Sequence, residues 1–338
     1  MQTDVPTTAY YMGIDAGGTK THCLISDRQG SVAGFGRSGC GNYEGVGADA
    51  ARENIGASID EALERAGLTL NDVVRIGMGV AGADLPEDYP MLSREIFDPL
   101  LGDIPYILKN DSFAALRGGT KQRFGVVVSC GTGVVAAARN RDGKEDRVGG
   151  LGPFFGDQYS ASQIGLLGLA SVFRAADGVG PDTSLTETLL DLSGTASVPE
   201  LLSKLYHGEL STESFPPLAK LVHEAAATGD GVSQEILVDA GREMGRMANA
   251  AARKVGLTGD EFTVVTAGSG FKGRCPAMIE SMREQVHTES PRARLEFPLY
   301  EPVVGALLLA IEAENPPAAE TTYTNLDATL PSHGEMYS

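Results

Sequence analysis

The sequence predicts an α/β protein of two domains, the second with a large helical part, and three observations carry that reading. An apolar run at residues 10–14 reaches Asp15-Ala-Gly-Gly-Thr-Lys20 and resumes at 23–25, which reads as strand, glycine turn, strand. The same unit restarts far downstream, with an apolar run at 124–129, then Cys130-Gly-Thr-Gly133, then 134–139. Elsewhere, apolar runs that end in small-residue loops alternate with segments of helical periodicity, the pattern of a sheet with its ligand loops at the strand ends. A chain of 338 residues has room for two such cores.

Taken in order, residues 1–9 are polar and expected to be loose. A third strand is expected at 31–36, and a glycine-rich loop, Gly39-Cys-Gly-Asn42 onward, follows it. A helix is expected from about 47 to 66, with Ala50, Ile55, Ile59, Ala62 and Leu63 on one face and Gly67 as its stop. Residues 73–80 form an apolar strand ending at Ala81-Gly82. A short helix at 90–101 leads to a strand at 106–108, then Lys109-Asn-Asp-Ser112 and a helix to 117. The glycine-rich stretch 118–123 marks the domain boundary, giving domains 1–120 and 121–314 with a polar tail at 315–338. In the second domain, Asp142-Gly143 signals a hairpin turn. Helices are expected at 160–176, through much of 183–255 (the longest at 232–255), at 276–286 and at 302–314. Strands are expected at 261–267 and 294–298, the first of them ending in Gly268-Ser-Gly270.

Composition narrows the function. Apolar content of 42% and charged content of 21% fit a soluble globular protein. A net charge of −18 argues against nucleic acid and anionic membrane as partners. No stretch reads as a signal peptide or a membrane span, so a cytoplasmic location is expected. Cys23, Cys40, Cys130 and Cys275 show no paired spacing and read as reduced core residues. His22, His207, His223, His287 and His333 show no metal spacing. Glu187 and Asp191 read as a solvated face, Met244 and Met247 as core.

The chemistry sits at the strand ends. Glycines let backbone N–H groups approach an anion, and Asp15 beside such a turn suits a phosphate with a hydrated Mg²⁺ between them. An ordinary hairpin is the plain alternative. Asp111, at the junction of a strand and a helix, is either a carboxylate that accepts the proton of an attacking hydroxyl or a helix N-cap. Asn42 and Asp157 are either polyol contacts or, respectively, a turn residue and a second helix cap.

With three glycine turns in this order, the chain resembles the actin-like, sugar kinase and heat-shock ATPase superfamily, and within it the N-acetylglucosamine kinase and BadF-type ATPase family, from residue 11 to about 314. The resemblance implies two actin-like (ribonuclease H-like) domains with an interdomain cleft. It implies ATP and Mg²⁺ held by Asp15, Gly17, Gly18, Thr19 and Lys20, with Asp15 reaching the metal through water. It adds Gly131, Thr132 and Gly133 as a second phosphate turn, and Gly268, Ser269 and Lys272 as the adenosine motif. It makes Asp111 the general base, and Asn42, Asp111, Gly150 and Asp157 the sugar contacts. The implied reaction is phosphorylation of an amino sugar, glucosamine or N-acetylglucosamine, by an enzyme for which a homodimer is compatible.

Two features bear on the substrate. Animal N-acetylglucosamine kinases carry Gly-Asp-Glu-Gly after a Trp-containing strip; here the strip is Leu151, Phe154 and Phe155, Gln158-Tyr159 follow Asp157, and there is no Trp. Residues 174–184 are similar to a stretch of bacterial members that include glucosamine kinases. The competing readings are a kinase of another hexose, a BadF-type ATPase acting on a protein partner, and a filament or regulator. The dehydratase activators among BadF-type proteins place cluster-binding cysteines at a dimer interface, which the scattered cysteines here do not resemble.

Overall fold

The computed structural model describes residues 9–313 and 316–337. The expectation of a loose start falls almost wholly on residues 1–8, outside those described, as does the junction with the tail at 314–315. The chain divides into two units, one made of the residues up to Phe124 and those from Pro298 onward, the other of Gly125–Phe297. The boundary therefore lies four residues past the expected one. Residues 298–313, expected in the second domain, belong to the first unit.

The first unit holds a sheet of order β3-β2-β1-β4-β5, built from β1 (Tyr10–Ala16), β2 (Thr21–Asp27), β3 (Val32–Ser38), β4 (Val73–Val80) and β5 (Tyr106–Asn110). β1, β2 and β3 pair antiparallel, while β4 and β5 run parallel to β1. Alternation along β1 sends Met12 and Ile14 to one face, where they join Ile55 and Ile59 of the Ala48–Ala66 helix and Phe97. That helix buries Ala51 where the sequence reading chose Ala50. Tyr11 faces the other way, with Leu307, Leu308 and Ile311 of the Pro302–Glu312 helix. This helix lies so close to the sheet that a Cβ on Gly13 or Gly77 would collide with its backbone. It belongs to the first unit for that reason. Beyond it the tail is ordered into the Glu320–Thr329 helix, which adds Tyr323 and Leu326 to the same core. Buried Arg117 ties these pieces together, donating to Glu312 Oε2 and Oε1 at 2.9 and 2.7 Å and to the Tyr323 hydroxyl at 2.8 Å.

The second unit repeats the plan. β6 (Gly125–Cys130), β7 (Val134–Arg139) and β8 (Glu145–Gly149) form an antiparallel meander, and β9 (Thr263–Ala267) and β10 (Arg294–Glu296) add parallel strands in the order β10-β9-β6-β7-β8. The long insertion between β8 and β9 is helical. Its longest element, Gly231–Val255, buries Met244 and Met247 as expected and packs Gly241 and Gly245 against the Pro276–His287 helix. Glu187 and Asp191 are exposed, as expected. All four cysteines are free thiols; Cys23 and Cys130 are buried, while Cys40 and Cys275 are half-buried. Among the described residues no helix is long and apolar enough to cross a membrane.

Candidate active site

In the first unit, parallel pairing sets Asp15 of β1 beside Gly79 of β4, and Gly79 beside Lys109 of β5, so the carboxyl ends of three strands meet. The turn after β1 is closed by Gly17 N donating to Lys20 O at 2.9 Å. Gly18 and Thr19 at its tip are exposed, and a Cβ on Gly18 would meet nothing within 4 Å. The turn therefore leaves open space beside its backbone, as a ligand cradle requires. Gly41 N donates to Gly17 O at 3.0 Å and Thr21 Oγ1 to Gly39 O at 2.9 Å, which stitches the 39–42 loop to the turn.

Asn42 does cap a short helix, since its Oδ1 accepts from Glu44 N at 3.0 Å. Nothing among the described residues accepts from its Nδ2, so a donor remains for a ligand. Asp111 is not the N-cap of the Asp111–Gly119 helix. Asn110 is, its Oδ1 accepting from Ser112 N at 3.1 Å. Sequence reading missed Asn110 by one position, although Asn caps helices as well as Asp does. Asn110 Nδ2 donates in turn to Asp84 Oδ1 at 3.0 Å. Asp88 Oδ2 accepts from Asp84 N and Leu85 N at 2.9 and 2.6 Å, and its Oδ1 accepts from the Tyr43 hydroxyl at 3.0 Å. This polar web links the Asn42 loop to the Asp111 helix, and neither Asp84 nor Asp88 carried a signal in the sequence.

Asp15 is pushed up to about 7, first by burial, then by the negative charge of Asp111 and also that of Glu301; Lys20 works against this. The two carboxylates are thus near enough to feel each other. Among the described residues no group of three metal-ligating side chains forms a cage. A carboxylate that feels a second one beside it fits Mg²⁺, a hard cation that is commonly held by one or two carboxylates plus substrate phosphates.

The second unit places its turns by the same topology. β6 and β9 are parallel neighbours, so Cys130-Gly-Thr-Gly133 and Gly268-Ser-Gly270 emerge side by side. Gly268, with φ of +93°, lies against the Cys130 backbone, where a Cβ would collide. The hairpin is closed by Gly131 N donating to Gly133 O at 2.8 Å, and Ala161 N donates to Gly131 O at 2.9 Å. Burial pushes the Cys130 thiol up to about 12, so it is no nucleophile. Thr132, Ser269 and Lys272 line one cavity of about 840 Å³, together with Leu218 and His223. That volume takes a nucleoside. Gly131, Gly133 and Gly268 shape the loops around it rather than its wall.

Asp157 is buried, and its Oδ2 accepts from Gly150 N at 3.0 Å and Gly152 N at 2.6 Å, so it braces the loop that follows β8. It is not a helix cap. Ser160 caps the Ala161–Ala176 helix, with Gln163 completing the box. On the loop that Asp157 braces, Phe154 and Phe155 stand exposed, edge to face at 5.2 Å.

Similarity to known proteins extends over most of the chain. A curated relative, the N-acetyl-D-glucosamine kinase of Dictyostelium discoideum, is 34% identical over 314 residues, covering 90% of this chain and 98% of the relative. An N-acetylmuramic acid/N-acetylglucosamine kinase of Clostridium acetobutylicum is 28% identical over 305 residues, covering 89% and 98%. A solved structure from Chromobacterium violaceum, provisionally assigned as an N-acetylglucosamine kinase, superposes with a TM-score of 0.69 at 25% identity, covering 90% of this chain and 99% of its own. Residues 12–310 match the BadF/BadG/BcrA/BcrD ATPase family, and the chain belongs to that family.

Proposed function

We propose that the protein is an ATP-dependent sugar kinase that phosphorylates a hydroxyl of an amino sugar, of the glucosamine or N-acetylglucosamine type. Full-length relatives with that activity in their names support the substrate class. The observation that carries the mechanism is local. Asn110, not Asp111, is the helix N-cap, and the Asp111 carboxylate stands near Asp15 at the strand ends.

Asp111 takes the proton of the sugar hydroxyl as that oxygen bonds to the γ-phosphorus and the bond to the β–γ bridging oxygen breaks. Gly17, Gly18, Thr19 and Lys20 form one phosphate turn and Gly131, Thr132 and Gly133 the other. Ser269 and Lys272, held by the turn at Gly268, bound the adenosine. Asn42, through Nδ2, and the loop braced by Asp157 at Gly150 hold the sugar. Bound Mg²⁺, reached by Asp15 through water, would offset the charge on the phosphates.

Release of ADP should depend on an added hexosamine in a panel of hexoses, glucosamine and N-acylated glucosamines. ADP release at one rate with or without every sugar would overturn the proposal and favour an ATPase that serves a protein partner.

A further inference from the structure

His223 lies on the Leu218–Ala227 helix in the wall of the 840 Å³ cavity, and it is 7% exposed. Its Nε2 is 2.9 Å from the carbonyl oxygen of Gly270. A carbonyl only accepts, so Nε2 carries the proton and Nδ1 is a bare lone pair. Nδ1 is buried and has no hydrogen-bond partner among the described residues. Burial pushes the ring below the ordinary histidine range, in keeping with the neutral form. The ring also lies directly under Gly273, where a Cβ would come within 2.5 Å of Nδ1. One imidazole therefore meets the loop at two points, Gly270 and Gly273, that bracket Lys272. The loop is conformationally demanding at both ends. Gly268 has φ of +93°, and Arg274 has φ of +47°, a left-handed backbone in a residue that is not glycine.

We infer that His223 is a positioning residue for the nucleotide loop: its Nε2–H pins Gly270, and this fixes Ser269 and Lys272 at the cavity wall. The inference rests on the reading of that cavity as the nucleoside site. The tie comes from a helix that is far from the loop in sequence, and a hydroxyl or an aliphatic side chain at 223 could not supply it. Gln at 223 places an amide nitrogen where Nε2 stands, whereas the shorter Asn places it nearer Nδ1.

The test measures steady-state kinetics and ADP binding by calorimetry on the intact protein. His223→Leu and His223→Asn should raise KM for ATP and Kd for ADP tenfold or more, with kcat and KM for the sugar within twofold. His223→Gln should return both nucleotide constants to within threefold of the parent. If Leu fails to fold, the Gln and Asn pair decides alone. Equal nucleotide affinity in that pair, or a loss spread evenly over kcat and the sugar constants, would overturn the inference. The cavity reading has its own control, since Thr132→Ala and Lys272→Ala with unchanged ADP affinity would show that the nucleotide binds elsewhere.

Discussion

The two sheets share one strand order, and Asp15 next to Gly79 in the first corresponds to Ser129 next to Ala267 in the second. Two residues back along each strand the correspondence becomes informative. The first sheet has Gly13 beside Gly77, and the second has Val127 beside Val265, both valines fully buried. In the first unit a helix backbone fills that space; in the second, side chains do. The strand ends diverge in the same manner. One turn follows Asp15 and carries Lys20, with Asp111 near; the other follows uncharged Ser129 and Cys130, and its Thr132 lines the 840 Å³ cavity. One scaffold thus ends in two different turns, one beside a carboxylate and a lysine, the other beside uncharged side chains.

The sharpest probe of that contrast is Asp111→Asn. It keeps the shape and, with Asn110 as the cap, leaves the helix start intact, but it cannot accept a proton. Turnover should fall roughly 10²–10⁴-fold with both substrates still bound. Asp15→Asn should lose activity through the metal, so raising Mg²⁺ should restore part of it. Rapid-quench kinetics with binding titrations would check both, and near-normal turnover in Asp111→Asn removes it as the base.

Next comes packing. Gly13→Val asks a helix backbone to move, and such overpacking costs typically 1–3 kcal/mol and sometimes more. We expect about 3 kcal/mol, read as a drop in urea midpoint, whereas Val127→Ala only leaves a small void and should cost less. Equal losses would mean that the Pro302–Glu312 helix yields more easily than its contacts imply.

A third effect depends on pH. Buried His22, at about 4 against an ordinary 6.5, is depressed first by burial and then by Lys20, although its Nε2 lies 3.1 Å from Met336 O. The unfolded chain binds the proton more readily, so His22 leaves stability untouched above about 6.5 and lowers it as pH falls toward 4. The full effect is on the order of 3 kcal/mol. Denaturation at pH 7 and pH 4.5 should show the decline in the parent and a shallower one in His22→Gln. Parallel curves would assign the acid sensitivity to carboxylates.

The smallest effects belong to the sugar loops. Asn42→Ala and Asp157→Ala should each cost about 1–3 kcal/mol in sugar use, the price of an unmade buried polar contact, while ADP affinity holds. Asp157→Ala should also loosen the 149–156 loop, visible as faster amide exchange at Gly150 and Gly152. Lost ADP affinity with sugar use retained would reverse the assignment.

Much of this was legible in the sequence because its signals are local. Residues 73–80 and 134–139 matched β4 and β7 at both ends, since apolar runs there meet glycine or polar turns directly. The strand-end turns that carry Asp15 and Ser269 were legible for the same reason. What sequence reading missed depends on distant partners. Nothing near residue 305 announces that its helix needs Gly13 and Gly77, nearly 300 and 230 residues back. Nothing near residue 223 announces a carbonyl at 270. The choice between Asn110 and Asp111 as cap turns on one backbone position, which periodicity does not resolve.

The return of residues 298–337 to the first unit also orders events on the ribosome. Everything the second unit needs lies in one unbroken stretch, Gly125–Phe297, so it is complete in sequence while the first unit still lacks the helix that covers Gly13 and the tail that buries Tyr323. Domains tend to fold as units during synthesis, N-terminal first. Here Gly125–Phe297 can mature before the first unit closes, and β1 waits for residues made after Phe297 to cover its exposed face.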